Sequence, residues 1–322
     1  MFLMNHKFFR LLLICLTLLC ILDGCKKNGL TPHEGYVEVT GGKIWYRIYG
    51  EGNKTPMLVL HGGPGSSSYG LIPLNALSKD RPVIFYDQLG CGRSTRITDT
   101  TLMTIDHYVE ELELLRKALN LEDFCLYGQS WGPALGVDYY LKYPKYVKAL
   151  ILSSPLLSTD LWIKDADTLI ATLPDSTQVI IRENEKNKTF DNDAYKNAVD
   201  LYYSKFLRRR EQPKEKEDSS SMFFGTNVYE YMWGPSEFTA TGTLLHYDRV
   251  NRLKEVAVPT LLLTGEYDEA RPSTVRYFQS QIPGAEFTVI KNSGHATIHD
   301  NPEQTLARLS EFLLKVDAIK SK

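Results

Sequence analysis

The sequence has little excess charge of either sign. Its 37 Lys and Arg side chains are matched by 39 Asp and Glu side chains, which gives a formal net charge of −2 and a pI near 6.4. Proteins that bind the phosphate backbone of nucleic acids normally carry a broad positive surface. The balanced charge therefore argues against a nucleic-acid partner.

Cysteine is scarce, and most of it lies at the N-terminus. After Cys15, Cys20 and Cys25, only Cys91 and Cys125 remain in the rest of the chain. Two cysteines cannot form the dense disulfide framework of a small secreted domain. Both follow or precede strand-like hydrophobic runs, so we expect buried, unreactive side chains.

Signatures of bound cofactors are also missing from the sequence. It has no His/Cys spacing suited to a metal ion, no Walker-type loop and no internal repeat. We expect neither a metal nor a cofactor. With 43% hydrophobic residues in 322, the chain can build a packed globular core of one or two domains.

The N-terminus resembles a targeting segment. Two basic side chains precede a hydrophobic stretch at residues 11–22, which is shorter than the roughly 20 residues of a membrane-spanning helix. This order is typical of a secretory signal peptide. Residues 22–25 (Leu-Asp-Gly-Cys) also resemble a bacterial lipobox, although Asp23 stands where a small or apolar residue is usual.

The lipobox resemblance implies that residues 1–24 are removed and that Cys25 carries the lipid, followed by a tether at residues 25–34. The protein would then be anchored in the bacterial cell envelope without spanning the membrane. The alternative is an ordinary signal peptide in which Cys25 has no role.

The rest of the chain alternates short hydrophobic runs with helical patterns. Two strands are predicted within residues 36–49, around a Gly-Gly turn. Near-continuous hydrophobic runs, which suit buried parallel strands, occur at residues 57–60, 83–86, 124–127, 149–152, 260–264 and 287–290. Helical periodicity at residues 105–119 and 302–316 predicts an α/β fold, with helices on both faces of a mostly parallel sheet.

The pattern breaks at residues 155–243, which become polar and helical. We interpret this segment as a cap inserted into a core formed by residues 35–154 and 244–322. Residues 208–210 (Arg-Arg-Arg) could bind an anion, but acidic residues follow closely. A solvated surface is the preferred interpretation of this stretch.

Residues 128–132 (Gly-Gln-Ser-Trp-Gly) follow a predicted strand and precede a predicted helical segment at residues 134–143. The G-x-S-x-G spacing in this context is typical of a nucleophile elbow, where small residues allow a sharp turn and expose the Ser hydroxyl. Ser130 is therefore the candidate nucleophile. The N–H of Trp131, the next residue, is a candidate oxyanion donor.

A serine nucleophile needs a base and an orienting acid, in the chain order Ser, acid, His for this type of elbow. Asp268 lies in the loop after the strand at 260–264, and His295 follows the next strand. His299 is the alternative base, but His295 is preferred because it lies closer to the strand end. The glycine-rich turn at residues 61–65 follows an early strand and could present further oxyanion donors.

Three motifs together resemble the proline iminopeptidases, which are serine exopeptidases of the α/β-hydrolase fold. They are residues 61–65 (His-Gly-Gly-Pro-Gly), 87–94 (Asp-Gln-Leu-Gly-Cys-Gly-Arg-Ser) and 128–132. The resemblance implies a triad of Ser130, Asp268 and His295, with Gly63 and Trp131 as oxyanion donors.

Residues 233–239 (Trp-Gly-Pro-Ser-Glu-Phe-Thr) resemble the cap segment of the tricorn-interacting aminopeptidase branch. That resemblance implies that Glu237 and Glu269 bind the N-terminal ammonium group of the substrate. Aromatic residues of the cap could surround a proline ring, namely Phe223, Phe224, Tyr229, Tyr231 and Trp233.

The expected function is a serine aminopeptidase that releases N-terminal residues, preferably proline, from short peptides. An esterase or lactone hydrolase on the same scaffold is the alternative, because fold and triad do not fix the substrate. A binding protein without activity is disfavoured, because all three triad residues are present.

Overall fold

A computed structural model describes residues 30–211 and 221–319. The fold is built on an eight-stranded sheet with the order β1-β2-β4-β3-β5-β6-β7-β8. The strands are β1 (His33–Val39), β2 (Gly42–Tyr49), β3 (Met57–Leu60), β4 (Val83–Tyr86), β5 (Phe124–Gln129), β6 (Val147–Ser153), β7 (Thr260–Gly265) and β8 (Glu286–Ile290). Strand β2 pairs antiparallel with β1 and β4, and all other neighbours are parallel.

Helices connect these strands and cover the sheet. The α-helices are α1 (Ile105–Ala118), α2 (Trp131–Lys142), α3 (Thr159–Ile170), α4 (Asp175–Asn187), α5 (Asp193–Phe206), α6 (Thr226–Met232), α7 (Pro272–Gln281), α8 (Thr297–Asp300) and α9 (Pro302–Ala318). Short 3₁₀ segments lie at Ser68–Lys79, Thr100–Leu102, Pro144–Tyr146 and Val250–Glu255. The predicted α/β fold with a mostly parallel sheet is confirmed.

Alternation along the strands places hydrophobic side chains on both faces of the sheet. In β3, Met57 and Val59 pack in one core cluster with the segment Ser68–Lys79 and α9. Leu60 points to the other face, where it approaches α2. Cys125 belongs to the first face and is fully buried, and burial raises the pKa of its thiol to about 12.

The residues between β6 and β7 form helices α3 to α6 and no strand of the sheet, as far as the described residues show. Their buried side chains form a hydrophobic cluster of their own, made of Ala166, Ile170, Leu173, Ile181, Tyr195, Ala198, Tyr202, Phe206 and Phe238. Strand β1 begins at His33, two residues before the start predicted for the core.

The carboxyl ends of the parallel strands determine where the site forms. Strands β3, β5 and β7 end at the same edge of the sheet, because all three run in the same direction. Loops at that edge are the usual place for function in α/β proteins. Ser130, Asp268 and the turn at residues 61–65 all follow strands at this edge.

Candidate active site

Ser130 occupies a sharp turn between β5 and α2. Its backbone has φ 62° and ψ −110°, a conformation that costs free energy for a residue with a side chain. Two glycines make the turn sterically feasible. A Cβ atom on Gly128 would lie 2.5 Å from the carbonyl carbon of Gly132, and one on Gly132 would lie 2.4 Å from the Leu60 oxygen.

Asp268, in the loop after β7, is almost completely buried and accepts several hydrogen bonds. Its Oδ1 lies 2.8 Å from Nδ1 of His295. The other donors are the hydroxyls of Ser154 (2.6 Å) and Thr264 (3.0 Å) and the N–H groups of Gly265 (2.9 Å) and Ala270 (2.9 Å). This set of donors fixes the carboxylate and orients it toward the imidazole.

His295 lies in the segment after β8. The ring of Trp162, in α3, packs edge-on against the imidazole, with the two ring centroids 5.5 Å apart. Its Nε2 atom is buried and has no hydrogen-bond partner among the described residues. Ser130 and His295 line the same cavity. His299 lines that cavity too, but its Nε2 lies 2.5 Å from the Gly70 carbonyl oxygen, away from Asp268.

The glycine-rich turn after β3 lies directly against the serine. A Cβ atom on Gly62 would lie 2.9 Å from Cβ of Ser130, and Gly62 and Gly63 both line the cavity. Trp131 is the first residue of α2, so its N–H has no partner within the helix. Backbone donors from two elements can therefore be placed beside Ser130.

Gln88 connects these two elements, a role that the sequence analysis did not assign. Its side-chain amide donates to the His61 carbonyl at 3.1 Å and accepts from the Trp131 indole N–H at 3.0 Å. Its backbone N–H donates to Nε2 of His61 at 3.0 Å. Desolvation lowers the pKa of His61, which therefore serves as a neutral acceptor. Gln88 lies within the motif at residues 87–94, which was the available signal.

Glu269 is buried beside His295, with its Oε1 3.7 Å from Nδ1 of the imidazole. Neither carboxylate oxygen has a hydrogen-bond partner in the described ranges. Desolvation raises the pKa of Glu269 well above its usual range, while His295 opposes this effect and Glu237 and Asp268 add to it. A buried carboxyl group without donors is unfavourable unless a ligand supplies them.

Glu237 lies after α6, between β6 and β7, and lines the cavity that also contains Ser130 and His295. Its backbone N–H donates to the Tyr203 hydroxyl at 3.1 Å, and its carbonyl accepts from the Trp162 indole at 2.8 Å. Burial raises the pKa of its carboxyl group, while His295 and a hydrogen bond with Tyr229 lower it. These bonds to Tyr203 and Trp162 thus fix the backbone of Glu237 in place.

The carboxyl groups change the basicity of the imidazole. Burial alone would lower the pKa of His295, but the negative charges of Asp268, Glu269 and Glu237 outweigh it and raise the pKa to about 9. Three acidic groups thus surround one basic group. A cationic ligand beside Glu269 and Glu237 would favour their charged forms, which burial disfavours.

The five aromatic residues predicted to surround a proline ring lie in different surroundings. Phe224 lines the cavity. Tyr229 bonds to Glu237, whereas Trp233 packs against Trp162 with ring centroids 5.9 Å apart. Tyr231 is exposed, and Phe223 packs against other side chains outside the cavity lining.

The cavity has a volume of about 180 Å³. Part of its lining comes from the end of β5 and from the segments after β3, β5 and β8. The rest lies between β6 and β7, namely Leu207, Arg208, Phe224 and Glu237. Cys25 lies outside the described residues. In the described part of the chain, no helix combines the length and hydrophobicity needed to cross a membrane.

The sheet order, the elbow at Ser130 and the His295–Asp268 pair define a serine hydrolase of the α/β-hydrolase class. A profile of the α/β hydrolase fold family matches residues 55–302. The chain belongs to that fold family and, within it, to the proline iminopeptidases.

The comparisons with known proteins cover most of the chain. A proline iminopeptidase of Heyndrickxia coagulans is 44% identical over 282 residues, which are 87% of this chain and 98% of the relative. The crystal structure of VinJ has a TM-score of 0.85 at 30% identity and covers 89% of this chain and 100% of its own. The proline iminopeptidase of Mycobacterium smegmatis has a TM-score of 0.82 at 31% identity, with 88% and 99% covered.

Proposed function

We propose that the protein is a serine aminopeptidase that releases an N-terminal residue, preferably proline, from short peptides through an acyl-enzyme. The observation that carries the proposal is a pair of carboxyl groups next to the base of the site, the buried Glu269 and the partly buried Glu237. Membership of the proline iminopeptidase family supports the same activity.

In the proposed reaction, the Ser130 hydroxyl oxygen attacks the carbonyl carbon of the first residue while Nε2 of His295 accepts the hydroxyl proton. Asp268 orients the imidazole and stabilises its charged form. The N–H groups of Gly63 and Trp131 bind the oxyanion of the tetrahedral intermediate.

The intermediate then collapses, and His295 gives its proton to the leaving amine as the peptide bond breaks. The first residue remains as an ester on Ser130. A water molecule, deprotonated by His295, attacks this ester and releases the free amino acid.

Recognition of a free N-terminus follows from the charges of the site. An α-amino group has a pKa near 8, so it is largely an ammonium ion at neutral pH. Such a group donates charge-assisted hydrogen bonds to carboxylates. Glu269 has two buried oxygens that need donors, and Glu237 lines the cavity that also contains Ser130 and His295. Together they fix the ammonium group and hence the first carbonyl.

We also propose the domain organisation set out from the sequence, with a cap at residues 155–243 over a core of residues 35–154 and 244–322. The separate hydrophobic cluster of α3 to α5 supports this division. Glu237, Arg208 and Phe224 of the proposed cap line the cavity beside Ser130. A cap in this position would restrict the site to short peptides. The proposed location is the cell envelope, through a lipid on Cys25.

The test compares three substrates of the purified full-length chain in detergent: prolyl p-nitroanilide, its N-acetylated form and a short p-nitrophenyl ester. We expect strong preference for the free amine, and a loss of about 10⁴-fold or more in kcat for Ser130→Ala. Turnover of the ester alone would support an esterase and contradict the aminopeptidase.

The role of Glu237 has its own control. Glu237→Gln should lower kcat/KM for prolyl p-nitroanilide about 10- to 100-fold, because an ionic hydrogen bond is lost. The ester should change much less. Glu230→Gln, which alters an exposed carboxylate on α6, should leave both substrates unaffected. Equal losses on amine and ester substrates would contradict an ammonium-binding role.

A further inference from the structure

Arg208 contributes to the cavity beside Ser130, in contrast to the solvated surface expected for residues 208–210. The segment before it is fixed to the loop that carries the base. The N–H of His295 donates to the Phe206 carbonyl at 2.8 Å, and the N–H of Ala296 donates to the Leu207 carbonyl at 2.9 Å. The backbone at residue 208 is therefore held in a defined position relative to His295.

The next two arginines have different surroundings. The Asp300 carboxylate accepts the backbone N–H groups of Arg209 and Arg210, at 3.1 and 2.9 Å. Both side chains are exposed, and the guanidinium of Arg209 stacks on the Tyr267 ring at 3.9 Å. Of the three consecutive arginines, Arg208 alone lines the cavity and is partly buried.

The charge of Arg208 is distinctive within this cavity. Among the described residues that line it, Arg208 is the single Lys or Arg, and Glu237 is the single Asp or Glu. The guanidinium of Arg208 stays protonated at all accessible pH values. His61, which lines the same cavity, is a weaker base than usual, because desolvation lowers the pKa of its imidazole. The lining of this cavity therefore contains a permanently charged basic residue and an acidic residue together with the nucleophile.

We propose that Arg208 binds the C-terminal carboxylate of the substrate, so that the preferred substrates are dipeptides and other very short peptides with a free C-terminus. This inference rests on the proposed aminopeptidase function. A dipeptide is a zwitterion, with its ammonium group on one side of the scissile bond and its carboxylate on the other. Glu237 and Glu269 would bind the first group, and the planar fork of Arg208 suits the second.

The distance that one substrate residue spans supports a preference for very short peptides. One extended residue spans at most about 3.5 Å, so the carboxylate of a dipeptide lies within a few ångströms of the scissile carbonyl. A cation that binds it must therefore belong to the same cavity as Ser130, as Arg208 does.

The experiment measures kcat/KM for prolylglycine and for prolylglycinamide, which lacks the carboxylate, using the full-length chain in detergent. For Arg208→Gln we expect a loss of about 10- to 100-fold on prolylglycine and less than about threefold on the amide. Arg208→Lys, which keeps the charge and loses the fork, should fall between wild type and Arg208→Gln. Arg209→Gln is the matched control and should leave the ratio of the two substrates unchanged.

Equal losses on both substrates in Arg208→Gln would show a structural role and overturn the inference. An unchanged ratio would overturn it as well, while activity on prolyl substrates would leave the aminopeptidase proposal intact. If wild type hydrolyses neither substrate nor prolyl p-nitroanilide, the proposed function fails, and this inference fails with it. Circular dichroism and thermal unfolding of each variant separate loss of binding from loss of fold.

Discussion

At the scale of single residues, the acidic side chains around His295 determine how readily its imidazole binds a proton. His295 must be neutral to accept the Ser130 proton, yet the surrounding carboxyl groups raise its pKa to about 9. The imidazole is thus mostly protonated at pH 7 in the free enzyme. An ammonium group between Glu237 and Glu269 would offset the negative charge and favour the neutral base.

This balance predicts the pH dependence of catalysis. With an uncharged p-nitrophenyl ester, kcat/KM of the wild type should rise with pH up to about 9, because the neutral imidazole is the reactive form. The carboxyl group of Glu269, 3.7 Å from the imidazole, contributes to the raised pKa of His295, so its replacement by a neutral amide in Glu269→Gln should move the acid limb to lower pH. The measurement is the pH profile of kcat/KM for both proteins.

The same variant should favour ester hydrolysis at lower pH but weaken the binding of an amine substrate. For prolyl p-nitroanilide, Glu269→Gln should raise KM, since a ligand of the ammonium group is lost. Glu230→Gln provides the control, because its carboxylate is exposed on α6. An acid limb that stays in place in Glu269→Gln would show that this carboxyl group does not set the basicity of His295.

Sequence reasoning could select candidates for the reacting residues, but it could not predict how their neighbours change their pKa values. Ser130 and His295 are recognisable from their positions after strands, and Glu237 and Glu269 from a family resemblance. The raised pKa of Glu269 depends on burial and on groups that are distant in the chain. The same holds for Gln88, whose bonds to His61 and Trp131 join the segments after β3 and β4 to the start of α2.

At the scale of elements, the turn from β5 into α2 has little steric tolerance. Gly132 and Gly136 lie one helical turn apart, which gives a matched pair of substitutions. A Cβ on Gly132 would lie 2.4 Å from a backbone oxygen of Leu60, whereas one on Gly136 would meet only a flexible Leu60 methyl group at 3.3 Å. Backbone atoms cannot move aside as a side chain can.

We therefore expect Gly132→Ala to lower the free energy of unfolding by at least about 2 kcal/mol and to impair turnover, because the elbow must open. Gly136→Ala should change it by no more than about 1 kcal/mol, since the gain in helix propensity offsets the tight contact. Chemical unfolding of both variants and the wild type provides the comparison. Similar losses in the two variants would contradict a requirement specific to the elbow.

Elements with strong local signals were predicted well. Strands β3 and β4 have the predicted limits, and α1 ends one residue before the predicted end. Helix α2 begins at Trp131, three residues earlier than its pattern suggested. The difference arises because the helix starts directly at the elbow, where tertiary contacts rather than hydrophobic periodicity determine the first turn.

At the scale of the whole molecule, the helical segment between β6 and β7 contacts the rest of the fold at the candidate site. Trp162 packs against His295, and the chain at Phe206 and Leu207 accepts hydrogen bonds from the loop of the base. The sequence predicted that residues 155–243 are inserted and helical, but it could not predict these contacts. They join residues about 90 to 130 positions apart, and no local pattern encodes them.

The proposed anchor concerns the whole molecule too, because it places an enzyme for short peptides at a membrane surface. The proposal depends on Cys25, which follows a hydrophobic stretch in the order expected of a lipobox. Asp23 is the departure from that pattern. A thioether-linked diacylglycerol needs the thiol of one particular cysteine, so a change of that side chain is decisive.

In a bacterium that processes lipoproteins, the wild-type chain should sediment with membranes, dissolve in detergent and incorporate labelled fatty acid. Cys25→Ser should abolish labelling, because a hydroxyl cannot form the thioether. Cys20→Ser, a change within the hydrophobic stretch, should retain it. Each buried acyl CH₂ contributes roughly 0.8 kcal/mol to membrane affinity, so loss of the lipid should leave the chain far more weakly attached. Labelling that survives in Cys25→Ser, or fails in both variants and the wild type, would contradict the anchor and leave an ordinary signal peptide.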